Sequence, residues 1–214
     1  MIQALFILAA LLILALAGYL LIIAVRWAFR FPKAALILCT LLIAGCGIYY
    51  QHFITQHRLN FLPQGLPIDD ILYANEESWG WGPGGNETGF IAYKLPDIAA
   101  QAILQGGLAY LEKLSPGGSA SGFYWHYEKW QETPILSDPH WLDNKQKREA
   151  ITAAASPKIA NYLNVYGFGI PIDPLIESEL NKAIAKPKSY FAYGRIGIII
   201  VIPDARKVIY AYNG

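Results

Sequence analysis

Acidic side chains are absent before Asp69, and the first 58 residues hold only four charged groups: Arg26, Arg30, Lys33 and Arg58. Cysteine is almost missing as well, since Cys39 and Cys46 are the only two and both fall in an apolar run. The chain beyond residue 58 therefore carries no disulfide and no thiol nucleophile. Catalytic signatures are scarce. There is no Gly-x-Ser-x-Gly nucleophile elbow. The glycines of residues 79–89 lack the Gly-Lys-Ser/Thr ending of a phosphate loop, and no His-Glu-x-x-His zinc helix occurs. Internal repeats and low-complexity tracts are also absent.

What the N-terminal part does contain is two long runs without charge, residues 4–25 and 34–50. A bilayer core about 30 Å thick takes roughly 20 apolar helical residues to cross. The first run exceeds that length. The second meets the lower limit and can lengthen through Phe53 and Ile54. Residues 1–50 thus read as a transmembrane helical hairpin. Its connection, residues 26–33, holds Arg26, Arg30 and Lys33, and short basic loops stay cytoplasmic. Both ends of the hairpin then face outward. Trp27 and Phe29 at one boundary, with Tyr49 and Tyr50 at the other, suit interfacial aromatic belts.

Two other readings compete with the hairpin. A cleaved secretory signal would need a basic start and a shorter apolar region than residues 4–25 provide. Leu42-Ile43-Ala44-Gly45-Cys46 looks like a bacterial lipobox, which would make Cys46 the lipidated N-terminus. In the hairpin reading, Gly45 and Gly47 are instead small residues that let two membrane helices pack closely.

Residues 51–67 read as a juxtamembrane connector, punctuated by Pro63, Gly65 and Pro67. Residues 68–214 then form one extracytoplasmic domain. From residue 59 onward there are 13 basic and 16 acidic residues, a net −3. That balance provides no basic stripe for nucleic acid. Short strands are expected at residues 71–73 and 89–94, with Phe90 and Ala92 on one face and Ile91 and Tyr93 on the other. A helix follows from Pro96, striped by Ala100, Leu104, Leu108 and Leu111 and weakened by Gly106-Gly107. Further helices are expected at residues 144–155, 157–165 and 174–185; Ser156-Pro157 and Asp173-Pro174 give cap-proline starts to the last two. Residues 195–202 and 207–212 are the clearest strands, joined by a hairpin loop at 203–206. The unbroken apolar run at residues 196–202 has no polar face, so it belongs to a central strand covered on both sides. The class is α+β, with helices packed on a mainly antiparallel sheet.

Polar constellations offer little. His126 and Glu128, with Asp138 and His140, hold ligand types suited to a metal, but spacing alone does not bring them together. The acid pairs Asp69-Asp70 and Glu76-Glu77 are sequence neighbours, whereas a glycosidase needs two carboxyls about 5 to 9 Å apart across a substrate. Asn86-Glu87-Thr88 matches a glycosylation sequon, which says nothing in a bacterial envelope.

Aromatics are more telling. Trp79 and Trp81 lie in a glycine-rich loop that ends at Asn86, and Phe123, Tyr124, Trp125, Tyr127 and Trp130 follow a flexible stretch. If that segment is extended, Phe123, Trp125 and Tyr127 share a core face. Broad aromatic faces with one polar handle serve binding surfaces. Trp79, Trp81, Asn86, Tyr124 and Trp125 are therefore the candidate contact residues, with no cofactor and no metal. The expected role is binding of a protein partner at the bacterial membrane, as an envelope subunit or a tethered inhibitor of the immunity type. A hydrolase acting on cell-wall or lipid material, using carboxylates or His126 and His140, is the alternative.

Overall fold

A computed structural model of the chain describes residues 2–80, 86–114, 127–136, 139–142 and 157–213, with side chains described from residue 12. The chain divides into two compact units, Met1–Gln56 and His57–Gly214. Helices α1 (Ile2–Arg30) and α2 (Pro32–Leu59) follow each other with only Phe31 between them. Proline suits a first helical turn and disfavours helix in the residue before it, so the joint falls at Phe31. Both helices are long and apolar enough to cross a membrane. Thr40 and Thr55 return their hydroxyls to the carbonyls of Leu36 and Gln51, each at 2.9 Å, which keeps those polar groups satisfied inside the helix.

Two expectations for this region differ from the structure. The connection at residues 26–33 is helical on both sides of Phe31 rather than a loop. Gly45 and Gly47 have open space where a side chain would start, so the close helix packing expected there is not formed. A one-residue joint leaves no loop to bring α2 back against α1. The first nine residues of the expected connector also continue α2 to Leu59. No glycine or proline interrupts residues 48–59, and His57 and Arg58 favour the negative end of a helix dipole.

In the second unit the described strands form one six-stranded antiparallel sheet in the order β1-β2-β6-β5-β4-β3. The strands are β1 (Asp70–Ser78), β2 (Glu87–Lys94), β3 (Gln131–Glu132), β4 (Tyr190–Tyr193), β5 (Gly197–Ile202) and β6 (Lys207–Asn213). Among the described residues three helices accompany them, α3 (Asp97–Leu111), α4 (Ile159–Leu163) and α5 (Pro174–Ile184), with a 3-10 turn at Pro139–Trp141. The α+β class holds. The helix expected at residues 144–155 lies outside the described residues, and no strand is legible in the sequence at Tyr190–Tyr193.

Apolar residues from alternating positions feed two cores, one on each face of the sheet. Ile91, Tyr93, Ile199, Val201, Val208 and Tyr210 pack with Phe61, Leu62 and the Ala99, Ala100 and Ile103 face of α3. Phe90, Ala92, Ile198, Ile200, Ile202 and Ile209 pack with Trp141, Ile159 and Leu163 of α4, and Leu180 and Ile184 of α5. Cover on both faces explains why β5 is apolar at every position, and its place between β6 and β4 makes it internal. The facing of Phe90 and Ala92 against Ile91 and Tyr93 is as the alternation predicts.

Helix starts depend on specific caps. Asp173 Oδ1 accepts from the amides of Leu175 and Ile176 at 2.9 and 3.1 Å, and Pro174 opens α5. Asp173→Ala should lower stability by about 1 kcal/mol, read as a lower denaturant midpoint at unchanged slope. For α4 the amide of Ile159 donates instead to Asn181 Oδ1 of α5 at 2.9 Å, a long-range cap that no local pattern announces. Helix α3 breaks phase at Gly107, where φ is 53° and ψ is −138°. Beyond that kink Leu111 is buried, while Leu104 is left 44 % exposed and drops out of the expected stripe.

Tyr93, Tyr127, Tyr210 and Tyr212 gather on the α3 face, and burial pushes each phenol well above its ordinary range. Tyr93 donates to Arg58 O at 2.7 Å, Tyr127 donates to Phe61 O, and Tyr212 donates to Glu76 Oε1 at 3.0 Å. The unfolded chain releases these protons first. Their stabilisation is therefore complete below about pH 10 and is lost as pH rises above it. In an alkaline titration, tyrosinate absorbance from these four should rise together with loss of circular dichroism. Their gradual ionisation in an intact fold would show that they are accessible.

Candidate functional site

The strand register brings five strand ends to one end of the sheet: Ser78 opposite Glu87, Thr88 opposite Asn213, Tyr212 opposite Gly197 and Ile198 opposite Tyr193. Trp79 leaves β1 there. Its amide donates to Asn86 O at 2.9 Å, which closes the base of the glycine-rich loop. The Trp79 side chain is 43 % exposed, and its ring lies 5.4 Å from that of Phe168. Asn86 is exposed at the same end. Trp81, Tyr124 and Trp125 lie outside the described residues. The structure thus joins Trp79 to Asn86 and adds Phe168, which sequence reading missed because residues 166–171 resemble an ordinary connection.

That connection is fastened to the sheet edge. Pro171 O accepts from Tyr73 OH at 3.4 Å and from Asn75 Nδ2 at 3.0 Å, and Gly169 N donates to Asn164 Oδ1 at 3.1 Å. Tyr166 is left 57 % exposed two residues before Phe168. Beside it opens a cleft of about 250 Å³ lined by His140, Tyr162, Tyr166, Tyr193, Arg195 and Asn213.

Burial and stacking organise the cleft walls. The His140 ring stacks on Tyr193 with centroids 4.2 Å apart and planes 23° apart. Trp141 Nε1 donates to Tyr193 OH at 2.6 Å, and Asn213 Nδ2 donates to Tyr162 O. Arg195 stands in the turn from β4 to β5, whose ends are tied by Gly194 N donating to Gly197 O at 2.6 Å. At Gly197 a Cβ would lie 2.6 Å from Ala211 O, too close for any side chain.

The other polar candidates separate. Glu128 lines a different cleft, with Pro63, Glu112 and Trp130, from the one that holds His140. Their expected partners His126 and Asp138 lie outside the described residues. Among the described residues no three His, Cys, Asp or Glu side chains gather as metal ligands. Asp69 pairs with Lys94 at 3.6 Å, and Asp70 Oδ1 accepts from Ile71 N at 2.8 Å. Glu76 accepts from Arg58 Nε at 2.6 Å as well as from Tyr212, so it fastens the end of α2 to β1. Cys46 sits within α2 with its side chain exposed. No protein family, curated protein or solved structure matches this chain.

Proposed function

We propose that this chain is a membrane-tethered binding protein whose second unit holds a protein partner at the Trp79 end of its sheet. Trp79 carries this reading: a large aromatic ring, nearly half exposed, rests on Phe168 with Tyr166 exposed nearby. Exposed tryptophan and tyrosine on a supported loop are the residue types that dominate binding energy at interfaces. Use of α1 and α2 as two membrane spans puts basic residues 26–33 in the cytoplasm and the second unit in the periplasm or at the cell exterior. This reading needs a reversal of the chain within residues 26–33, where the structure has helix on both sides of Phe31. An envelope subunit and a tethered, immunity-type inhibitor both fit such a layout. Hydrolysis is less well supported, because Asp69, Asp70 and Glu76 have structural partners and Glu128 and His140 line different clefts.

Compartment and contact are tested separately. A reporter active only outside the cytoplasm should be active when fused after Gly214 and inactive when inserted within residues 26–33; the reverse pattern would overturn the orientation. A photoreactive residue at position 79, in intact cells, should crosslink one protein. The same residue at Ile98 is the control, since Ile98 is 84 % exposed but lies near the opposite end of the sheet. Equal crosslinking from both positions would remove the contact assignment. For Cys46, the two-span reading expects Cys46→Ser to leave membrane attachment unchanged. Fatty-acid labelling that disappears in that variant would establish lipidation instead.

A further inference from the structure

We infer that the partner is held through an extended, basic segment of its chain, which adds a strand along the outer edge of β1. This rests on the Trp79 reading and extends that contact along the sheet.

The two edges of the sheet are unequal. Strand β3 at one edge has two residues, whereas β1 at the other has nine and leads directly into Trp79. Hydrogen-bonded and non-bonded pairs alternate along an antiparallel ladder. Trp79 N donates to Asn86 O, so Glu77 and Asn75 are the residues that bond to β2. Leu95 N, which donates to Arg206 O beyond the end of β2, fixes the same phase from the other side. The N–H and C=O groups of Ala74, Glu76 and Ser78 therefore point away from the sheet, and nothing among the described residues bonds to them. An extended backbone is what offers donors and acceptors at that repeat. A register shift between Ile71 and Tyr73 disturbs the far end, which leaves residues 73–78, next to Trp79, as the regular stretch. Side chains on both faces hold that stretch in place. Tyr73 and Asn75 donate to Pro171 O, and Glu76 accepts from Arg58 and Tyr212. An edge fixed before binding loses less entropy when a strand is added.

Charge selects the occupant. Sheet edges are commonly blunted by lysine or proline. Residues 69–79 contain no lysine, arginine or proline, but they hold Asp69, Asp70, Glu76 and Glu77. Asp69 and Glu76 have cationic partners, and Asp70 accepts from a backbone amide. Glu77 has no such partner among the described residues. Strand side chains alternate, so Glu77 lies on the face that carries Trp79 two residues later. A lysine or arginine set opposite Glu77 on an added strand meets a carboxylate and lies beside the tryptophan ring. Glu87, exposed opposite Ser78, places a second carboxylate at that end. Two copies of this chain joined edge to edge would instead gather the acids of both strands, which disfavours a second copy.

The probe is a blocked heptapeptide, Thr-Lys-Val-Arg-Val-Lys-Thr, titrated into the full chain in detergent micelles and followed by amide hydrogen exchange. At about nine-tenths occupancy the amides of Ala74, Glu76 and Ser78 should exchange about tenfold more slowly. Those of Asn75 and Glu77, already bonded to β2, should change little. That alternation separates strand addition from side-chain contact. The same peptide with glutamate in place of its cations should bind about tenfold more weakly, and so should the peptide N-methylated at its valines. Ala74→Pro removes one outward donor and spares the ladder to β2, so it should weaken the basic peptide about tenfold at an unchanged thermal midpoint. If that variant unfolds, the N-methylated peptide makes the same comparison on the unaltered chain. Absence of binding, uniform protection, or equal binding of the acidic or N-methylated peptide would overturn the strand. Protection of the same amides in a dimer without peptide would give the edge to a second copy and overturn it as well. Crosslinking from position 79 without peptide binding would leave the Trp79 contact and remove the strand. Peptide binding without that crosslink would keep the strand edge and remove the Trp79 contact.

Discussion

Replacement of Trp141 by alanine should remove about 3 to 5 kcal/mol of stability from the second unit, the range expected for truncation of a buried aromatic. Trp141 is only 2 % exposed although it belongs to a three-residue 3-10 turn, an element with almost no stability of its own. The turn is held by what its tryptophan does. The ring packs 5.2 Å from Tyr162 and joins the core that covers one face of the sheet, while its indole N–H is donated to Tyr193 OH. Truncation would open a cavity and also leave the Tyr193 hydroxyl without that donor. Trp141→Phe separates the two effects. It keeps most of the apolar area and loses the hydrogen bond, which contributes about 1 kcal/mol net. Urea unfolding of the full chain in detergent, followed by circular dichroism, gives both numbers. A loss below about 1 kcal/mol for Trp141→Ala would mean that the turn does not help to close the core.

Strands and caps that depend on neighbouring residues were legible in the sequence. The run at residues 196–202 announces an internal strand because only a position covered on both faces tolerates apolar residues throughout, and β5 is such a strand. Alternation along residues 89–94 gives the correct face for Phe90, Ile91, Ala92 and Tyr93, since strand side chains alternate strictly. Asp173-Pro174 starts α5 through bonds that reach only two and three residues ahead. Features made by distant residues were not legible. Asn181 caps α4 across 22 residues, and the buried face of α3 centres on Ala99, Ala100 and Ile103, which leaves Leu104 at its edge. Strand β4 is short, and Tyr190–Tyr193 differs little in composition from other aromatic stretches. The cleft is the extreme case. His140, Tyr162, Tyr193, Arg195 and Asn213 span more than 70 positions, and only the β4–β5–β6 register and the two helices above it bring them together. Of the proposed contact residues, Trp79 was picked out by its glycine setting, whereas Phe168 became visible only when the fold placed it against that ring.

Trp79→Ala should show the opposite profile from Trp141→Ala, although the same side chain is removed. If Trp79 anchors a partner, its loss should weaken binding by about 2 kcal/mol or more, roughly 30-fold in dissociation constant. Its stability cost should stay under about 1 kcal/mol, because a ring 43 % exposed returns only part of its area to water. Phe168→Ala provides the companion measurement. Phe168 supports one side of the Trp79 ring at 5.4 Å, so its removal should weaken binding by a smaller factor through a less well-placed tryptophan. The two substitutions share one contact, and the double variant should therefore lose less than the sum of the single losses. The partner captured by the photoreactive residue at position 79 is the ligand for these titrations, with the full chain in detergent. A 3 to 5 kcal/mol loss of stability with unchanged binding would make Trp79 a core residue like Trp141. Additive losses for Trp79 and Phe168 would show two separate contacts rather than one supported anchor.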